Sequence, residues 1–481
     1  MNKEVGITAS KNDDFSKWYI QVVIKSELAD YGPVSGVIVL RPDGYSIWES
    51  IRESLDKKLK ETGHRNGFLP VLIPESLLGK EKKHFDGLNP QVFWVTQEGN
   101  SEKKKGERLA LRPTSETLVC GLYSKWIESW RDLPLKINFW NSALRAEITD
   151  TRPFLRTSEF LWQEGHTVHA TQDEAKNEVM EILNIYKKTI EEELAIPVIT
   201  GKKSEKEKFV GAVYTTALES LMPDGKALQM GTSHFLGQNF SKPFEIKYND
   251  ENNVETYAWQ TSWGVSWRLI GGMIMTHSDD KGLVLPPKLA PIQVVIIPIY
   301  SKEDREKIIL EANKIKDSLS SNNVRVELDD RDNYTPGFKF NDWELKGIPI
   351  RIEIGPKDIA KNQVVMARRY NQTKDDISLD KVSETINLEL ENIQQQMFVN
   401  AKKILDERVV RVSEYQQFKE ELKNGKMIDC SWCGNQACED KIKEETGAGL
   451  RVVPFDGTQK SETCIYCKNS GTTNALFAKG Y

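Results

Sequence analysis

NFWNSALRAEITDTRPFLRTSEFLWQEGHTVHA, Asn138 to Ala170, is the stretch whose reading decides the fold. Taken at period two, its first arm puts Arg145 and Glu147 on one face, and its second arm puts Phe160, Trp162, Glu164 and His166 together on one face. Between them lies ITDTRPFLRTS, a polar, proline-containing connection that carries Arg152 and Arg156. Two strands joined in this way predict an antiparallel hairpin. A solvated face would mix Lys, Thr, Ser and Gln. One that holds Arg, Glu, Trp, Glu and His reads as the floor of a pocket. An exposed hairpin with a surface salt bridge is the competing reading, and periodicity alone does not separate the two.

Upstream, residues 45–62 place Ile47, Ile51, Leu55 and Leu59 on one helical stripe, with Gly63 as the stop. FLPVLIP (68–74) predicts a strand ended by Pro74, and VFWV (92–95) another, followed by a charged turn, QEGNSEKKKGE. The chain then passes from strand to helix near Pro113, with Thr114 or Ser115 as cap. Downstream, a charged helix is expected from about Gln172 to Leu194, and strands at 227–235 and 256–264. VSWRLIGGMIMTH predicts a buried helix carrying Arg268. A buried arginine needs a partner. It has either a core carboxylate or a place at the pocket edge, and the lead-in through Trp263, Gly264 and Ser266 favours the edge.

LPPKLAP (285–291) reads as a stiff linker and the clearest boundary in the chain. Beyond it strands and helices alternate, which predicts a small α/β domain with a parallel or mixed sheet. A long charged helix is expected over much of 381–424, ahead of a cysteine-rich tail.

The 481 residues allow about three domains. Apolar content of 39% and charged content of 28% describe a globular protein. No apolar run nears the ~20 residues that span a bilayer. The start, MNKEVGITASKNDDF, lacks the apolar centre of a signal peptide, so a cytoplasmic location is expected. A net charge of −5 gives no overall push toward nucleic acid, so RNA binding has to be local. Of six cysteines, five lie at or after position 430, which points to metal ligands rather than disulfides. CSWC (430–433) and CIYC (464–467) form a zinc signal, in which Cys438 competes as a fifth thiol. Cys120, inside an apolar helical stretch, reads as core. Neither a GxxxxGK[ST] loop nor a dinucleotide-binding glycine triplet is present. Arg145, Arg156 and Arg268 offer instead three guanidinium forks suited to a bent triphosphate.

Arg145-Ala-Glu147 with the loop to Phe160 resembles motif 2 of class II aminoacyl-tRNA synthetases, and Gly264 to Arg268 with the following helix resembles motif 3. The helix at 45–62 with the strand ending at Pro74 resembles motif 1, the dimer-forming element of that class. SELADYGPVSGVIVLRPDGYSIWE, LRPTSET, RPFLRTSEFLWQEGHT, QMGTSHFLGQNF, SWGVSWRLIGGMIMTHSDDKGLVLPP and DWELKGIPIRIEIGPKD are similar to segments of the prolyl-tRNA synthetase family, archaeal and eukaryotic type. The resemblance covers essentially residues 12–481.

It implies an α/β fold in three parts. These are an α+β class II catalytic domain (1–286) with an antiparallel sheet flanked by helices, an α/β anticodon-binding domain (287–392), and a small zinc-binding C-terminal domain (393–481). The implied activity is ligation of L-proline to tRNA(Pro) with ATP and Mg²⁺, by a homodimer that engages neither membrane nor DNA. Arg145 would bind the α-phosphate and the proline carboxylate, and Glu147 the adenine amino group. Arg156, Thr157, Gln229, Thr232, Ser266 and Arg268 would complete the ATP site. Thr114 and Glu116 would receive the proline imino group, while Trp162, Glu164, His166, Phe209 and His234 shape the ring pocket. The two histidines are expected as hydrogen-bonding groups rather than general bases, since attack of a carboxylate on phosphorus needs positioning and charge. No active-site metal other than Mg²⁺ is expected at His166, His234 and Cys120.

Glu344, Arg351 and Lys357 match positions that read the two anticodon guanines. The family spacing implies structural zinc (Zn²⁺) on Cys433, Cys438, Cys464 and Cys467, with Cys430 a neighbouring spare thiol. A C-terminal tyrosine turned toward the active site, here Tyr481, is also implied. The editing domain that the bacterial-type relative inserts between motifs 2 and 3 has no room here. The alternatives are another class II synthetase (threonyl or glycyl), an inactive tRNA-binding paralogue, and a zinc-finger adaptor.

Overall fold

A computed structural model of the chain describes residues 6–78, 91–98, 101–102, 106–148, 150–455 and 462–481. The first part is built from α1 (Phe15–Lys25), α2 (Pro42–Glu61), β1 (Arg65–Gly67), β2 (Leu72–Pro74), β3 (Leu109–Leu111) and α3 (Glu116–Trp126). The hairpin β4 (Leu135–Leu144) and β5 (Glu159–His169) follows, then α4 (Gln172–Glu193), β6 (Ile199–Lys202), β7 (Tyr214–Leu221), β8 (Lys226–Gly237), β9 (Trp259–Ser266) and α5 (Arg268–His277). The next module comprises β10 (Val294–Pro298), α6 (Arg305–Ser321), β11 (Val326–Leu328), α7 (Pro336–Leu345), β12 (Ile350–Ile354), β13 (Gln363–Arg368) and β14 (Lys374–Ser378). The chain closes through α8 (Val382–Arg408), β15 (Val409–Arg411), α9 (Tyr415–Lys423), β16 (Met427–Trp432), α10 (Gln436–Thr446), β17 (Gly449–Pro454) and β18 (Thr473–Gly480).

The expected hairpin forms, with Glu159 opposite Leu144 and Trp162 opposite Asn141. Its first arm ends at Leu144, however. Arg145 extends the pairing through its N–H to the Ser158 carbonyl at 2.7 Å, whereas Glu147 stands on the turn rather than on a strand face. Pleating sends Trp162, Glu164 and His166 to the front of the sheet and Gln163 and Gly165 to the back, where α4 lies. That helix starts at a capping box, Thr171 with Glu174, and buries Val179, Ile182, Leu183, Tyr186 and Ile190 at helical spacing. Polar side chains on the same back face satisfy one another. The Tyr186 hydroxyl donates to Gln163 Oε1 at 2.5 Å, Gln163 Nε2 to Asn138 Oδ1 at 2.7 Å, and Asn138 Nδ2 to Asn66 Oδ1 at 2.8 Å. On α2 the predicted stripe of Ile47, Ile51, Leu55 and Leu59 is buried.

The strands assemble into one eleven-stranded sheet in the order β15-β16-β18-β17-β6-β7-β8-β9-β5-β4-β1. Most neighbours are antiparallel, but β1 runs parallel to β4, β15 parallel to β16, and β18 makes a further parallel pairing with β8. The second sheet, β11-β10-β12-β13-β14, is mixed, parallel through β11, β10 and β12 and antiparallel beyond.

Several expectations need correction. The stretch 68–74 is a strand only over Leu72–Pro74, and 92–95 only over Trp94–Val95. The charged turn at 97–107 lies partly outside the described residues; Gln97–Glu98 pairs with Ser101–Glu102 within it. The run 256–264 breaks at Ala258 into two strands, Glu255–Tyr257 and β9. The helix expected over 381–424 is two helices with β15 between them, where β-branched Val409 and Val410 join the parallel edge of the sheet. Residues 285–291 are packed against the rest of the molecule. Leu285, Leu289 and Ala290 are buried in the main core, and Arg325 donates to the carbonyls of Pro287, Lys288 and Ala290 at 2.8–3.1 Å. The helix α8 runs unbroken across 392/393. Among the described residues no helix is long and apolar enough to cross a membrane.

Gly165 stands opposite Trp263 across β5 and β9, and a Cβ at that position would lie 2.0 Å from the indole ring. Trp263 is itself clamped edge-on against His64 and Tyr186, so it has little room to yield. Gly165→Ala should therefore destabilise the fold by about 1–3 kcal/mol, as overpacked cores do. Urea unfolding checks this, and a loss below about 0.5 kcal/mol, the range of an ordinary surface substitution, would contradict the packing described.

Candidate active site

The front face of β5, β7, β8 and β9 floors a cavity of about 800 Å³. Register explains its composition. Trp162 faces Ser266 across one pair and Glu164 faces Gly264, which in turn faces Thr232. The cavity gathers, as expected, Arg145, Glu147, Arg156 and Thr157 from the hairpin and its loop, Gln229, Thr232 and His234 from β8, and Ser266 and Arg268 from the β9–α5 junction. Thr114, Glu116, Trp162, Glu164 and Phe209 also line it. His166 does not. It continues the same strand face but is buried behind Glu164.

One side of the cavity is cationic. The Arg145 guanidinium sits 5.2 Å from the centre of the Phe160 ring, and its Nε donates to the Pro113 carbonyl at 3.3 Å. Arg268 opens α5, and its backbone N–H donates to Ser266 Oγ at 3.3 Å. Burial, together with the charge of nearby Arg145, pushes the Arg268 pKa down from its ordinary value. No ion pair holds Arg145, Arg156 or Arg268 among the described residues. Guanidinium groups without an ion-pair partner that converge on one space make a receptor for an anion.

The other side is anionic and more buried. Glu116 begins α3, where the helix end favours a carboxylate, and accepts a hydrogen bond from the Thr114 hydroxyl. Glu164 accepts from the Ser115 hydroxyl, from Asn141 Nδ2 at 3.0 Å, and from the His166 ring at 3.3 Å. Burial opposes its ionisation, yet the bonds and charge from His166, with those of Ser115 and Asn141, hold the carboxyl below its ordinary range. For His166, burial works downward, but the bond to Glu164 and the charges of Glu116 and Glu164 carry the pKa above its usual value. These two residues form a buried carboxylate–imidazole pair, in which each favours the charged form of the other. His234 behaves oppositely: burial lowers its pKa to about 3, so it is neutral. Its Nδ1 lies 2.9 Å from Thr215 Oγ1 and its Nε2 3.1 Å from Thr232 Oγ1, with the Phe209 ring centred 4.8 Å away.

Sequence reasoning missed Ser115 and Asn141, whose bonds to Glu164 depend on a register that loop length does not reveal. It also missed Glu219, which faces Gln229 across β7 and β8 and is fully buried. Its carboxylate is held by Lys203 Nζ at 2.7 Å and by Arg451 Nη2 at 2.9 Å, the latter from β17. No local pattern marks a triad whose members lie so far apart in the chain. The last residues reach the cavity itself: Gly480 and Tyr481 line it, and the Tyr481 N–H donates to the Ala227 carbonyl at 3.2 Å.

Away from the cavity, Cys433, Cys438, Cys464 and Cys467 bring their sulfur atoms within 4.8 Å of one another. Cys433 follows β16, Cys438 sits in the first turns of α10, and the other two occupy the turn before β18. Cys430 points elsewhere, 3.9 Å from the Ala475 carbonyl, with burial pushing its thiol pKa up. Four thiols converging in this way fit one tetrahedral ion. Cys120 is buried in the core, where Gln260 Nε2 donates to its sulfur at 3.6 Å.

The α/β module has a cavity of about 280 Å³ lined by Glu344 and Arg351. Arg351 lies over the Phe340 ring at 4.2 Å and pairs with Glu353 at 2.8 Å. Lys357, on the short helix Pro356–Ala360, is exposed and does not line this cavity.

The tRNA synthetase class II core domain (G, H, P, S and T) matches residues 93–276, the anticodon binding domain 293–388, and the prolyl-tRNA synthetase C-terminal domain 415–481. The proline–tRNA ligase of Cenarchaeum symbiosum is 62% identical over 479 residues, covering 99% of this chain and 100% of that protein. Those of Alkaliphilus oremlandii (52% identical, 97% of this chain and 96% of that protein) and Roseiflexus sp. (48%, 100% of each) are similar from end to end. With the arginine-lined cavity on a class II sheet, these matches place the chain plainly: it belongs to the prolyl-tRNA synthetase family, the proline–tRNA ligases among the class II aminoacyl-tRNA synthetases.

Proposed function

We propose that the chain activates L-proline with ATP to prolyl-adenylate and pyrophosphate, then transfers proline to the 3′ end of tRNA(Pro). The observation that carries this is one cavity lined by Arg145, Arg156 and Arg268, none in an ion pair among the described residues, and by buried Glu116 and Glu164. The proline carboxylate attacks the α-phosphorus in line and pyrophosphate leaves, so the site has to position two anions and offset the charge that builds up. Arg145 spans the α-phosphate and the attacking carboxylate. Arg156, Thr157, Gln229, Thr232, Ser266 and Arg268 hold the rest of the nucleotide, Glu147 takes the adenine amino group, and Mg²⁺ enters with the triphosphate. Thr114 and Glu116 receive the cationic imino group. Trp162, Phe209 and neutral His234 give the ring a flat, apolar slot. His166 acts through Glu164, keeping that carboxylate charged and oriented.

Residues 1–286 carry this chemistry, 287–392 read the anticodon through Glu344 and Arg351, and 393–481 hold zinc. An Arg fork on a guanine edge and a carboxylate accepting from its amino and imino hydrogens suit unpaired bases. The zinc ligands are Cys433, Cys438, Cys464 and Cys467. With all four positions thiolate, the ion is structural and supplies no step of the reaction.

The described residues between Glu147 and Gln229 are taken up by the rest of the hairpin, α4, β6, β7 and the start of β8, which supports a chain without an editing domain there. A slot for proline cannot reject alanine by size, because missing methylenes cost only about 1–3 kcal/mol of discrimination. The chain therefore activates alanine detectably and leaves the mischarged tRNA intact.

Amino-acid-dependent ATP–pyrophosphate exchange across all twenty amino acids tests the main reading, with proline expected to give by far the fastest exchange. Arg145→Ala should lower kcat/KM for exchange by at least ~10²-fold, the loss typical of one transition-state charge contact of about 3 kcal/mol. Near-normal exchange by a folded variant would remove Arg145 from the phosphate site. Metal analysis should find one zinc per chain, retained by Cys430→Ser and lost by Cys438→Ser together with the stability of the C-terminal strands. The opposite pattern assigns the site to Cys430, Cys433, Cys464 and Cys467. Alanyl-tRNA(Pro) given to the purified enzyme should decay at its spontaneous rate, and enzyme-dependent clearance would reveal a hidden editing site.

A further inference from the structure

The turn that follows α5 belongs to the catalytic body, yet its Lys281 lines the cavity of the α/β module beside Glu344, Arg351 and Phe340. It falls between the two domain matches, 93–276 and 293–388. Lys281 Nζ lies 3.1 Å from Glu344 Oε1 and 2.8 Å from Gln372 Oε1, and its side chain is 50% exposed. The turn is held there firmly. Arg369, itself buried, donates to both Asp279 carboxylate oxygens at 2.6 and 2.8 Å and to the Glu344 carbonyl at 2.9 Å. Trp18 Nε1 donates to the Asp279 carbonyl at 2.9 Å. Gly282 has φ +135°, and a Cβ there would stand 2.5 Å from the Leu345 carbonyl, so only glycine lets the turn approach the end of α7 this closely.

We infer that Lys281 is a tRNA-recognition residue supplied by the catalytic body, so that the anticodon pocket is composite; this rests on the anticodon reading of that cavity given above. The chemistry follows from charge. A carboxylate suits the N–H donors on the Watson–Crick edge of guanine, but beside a polyanion its own charge repels the backbone unless a cation offsets it. Arg351 and Lys374 both spend charge on Glu353, at 2.8 and 2.7 Å, which leaves Lys281 as the cation paired with Glu344 among the described residues. It holds Oε1 and leaves Oε2 for the base. Of the three ammonium donors, Glu344 and Gln372 take two, which leaves the third for an RNA phosphate or a base carbonyl.

The test is steady-state charging by the full-length enzyme. Its substrates are a tRNA(Pro) transcript and the same transcript with an anticodon guanine replaced by adenine. Lys281→Met should raise KM for tRNA(Pro) about tenfold, as loss of a charged hydrogen-bond partner does, and narrow the discrimination against the substituted transcript. Lys281→Arg should restore both. Wild-type KM and discrimination in Lys281→Met, with Arg351→Ala impaired, would overturn the inference. So would equal defects in Lys281→Met and Lys281→Arg accompanied by equal losses in Tm, which would make the residue a purely structural contact. If Arg351→Ala also charges both transcripts like the wild type, it is the anticodon reading of the cavity that fails.

Discussion

The register of β5 between β4 and β9 sets where chemistry can occur on this molecule. Shifted by one residue, Glu164 and Trp162 would face α4, and Gln163 and Gly165 would face the cavity. Two opposite demands hold the register in place. On the back, the Trp263 indole needs the space left by Gly165, and the chain of amides from Asn66 to Tyr186 needs Gln163 beside it. On the front, Glu164 needs Ser115, Asn141 and His166 within bonding distance. A slipped strand would bury unpaired polar groups on both faces at once, each at about 1–3 kcal/mol.

Charge inside the fold is handled in two distinct ways. Where the role is structural, partners are complete. Glu219 is enclosed by Lys203 and Arg451, and Glu178 by His64 at 2.7 Å and Lys136 at 2.6 Å. Removing Glu219 would strand the charges of Lys203 and Arg451 in the interior. Where the proposed role is binding, the close partners are withheld. Arg145, Arg156 and Arg268 line the open cavity without a carboxylate in ion-pair contact among the described residues, although the charge of Glu219 is felt at Arg268. An anion that enters this space meets donors already in place, with no reorganisation at the moment of reaction.

The C-terminal strands do more than carry a cysteine cluster. Through β17 against β6 and β18 against β8 they extend the sheet on which the cavity is built, and Gly480 and Tyr481 bring them to its wall. The cluster lies at the other end of those strands, where it joins β16, α10 and the turn before β18. A metal there would reach the cavity only mechanically, by keeping β16 and β18 in register. The same logic applies at the α5 turn, where Asp279, Lys281 and Gly282 join the catalytic body to the α/β module by ion pairs and close backbone approach instead of a flexible link.

Much of this was legible in the chain itself. Period-two alternation marked the hairpin, the Ile47–Leu59 stripe marked α2, and the strand–helix alternation after residue 291 marked the mixed α/β sheet, because local backbone geometry decides which side chains share a face. Trp162 and Glu164 at the cavity were readable for the same reason, as near neighbours along one strand, whereas the set of four thiols came from the family resemblance, since the spacing of the cysteines left Cys430 and Cys438 in competition. What the sequence could not determine depends on contacts between distant segments. The 285–291 stretch looks like a linker, yet it is buried, since only the folded molecule supplies Arg325 for its carbonyls. Glu219 looks like any strand glutamate until Arg451 arrives from the far end of the chain. His166 shares a face with Glu164 and was expected to line the cavity, but depth along a strand is decided by what covers it. Lys357 and Lys281 exchange places at the second cavity for that reason too. Local sequence specifies the direction in which a side chain points, and only tertiary packing specifies what it meets there.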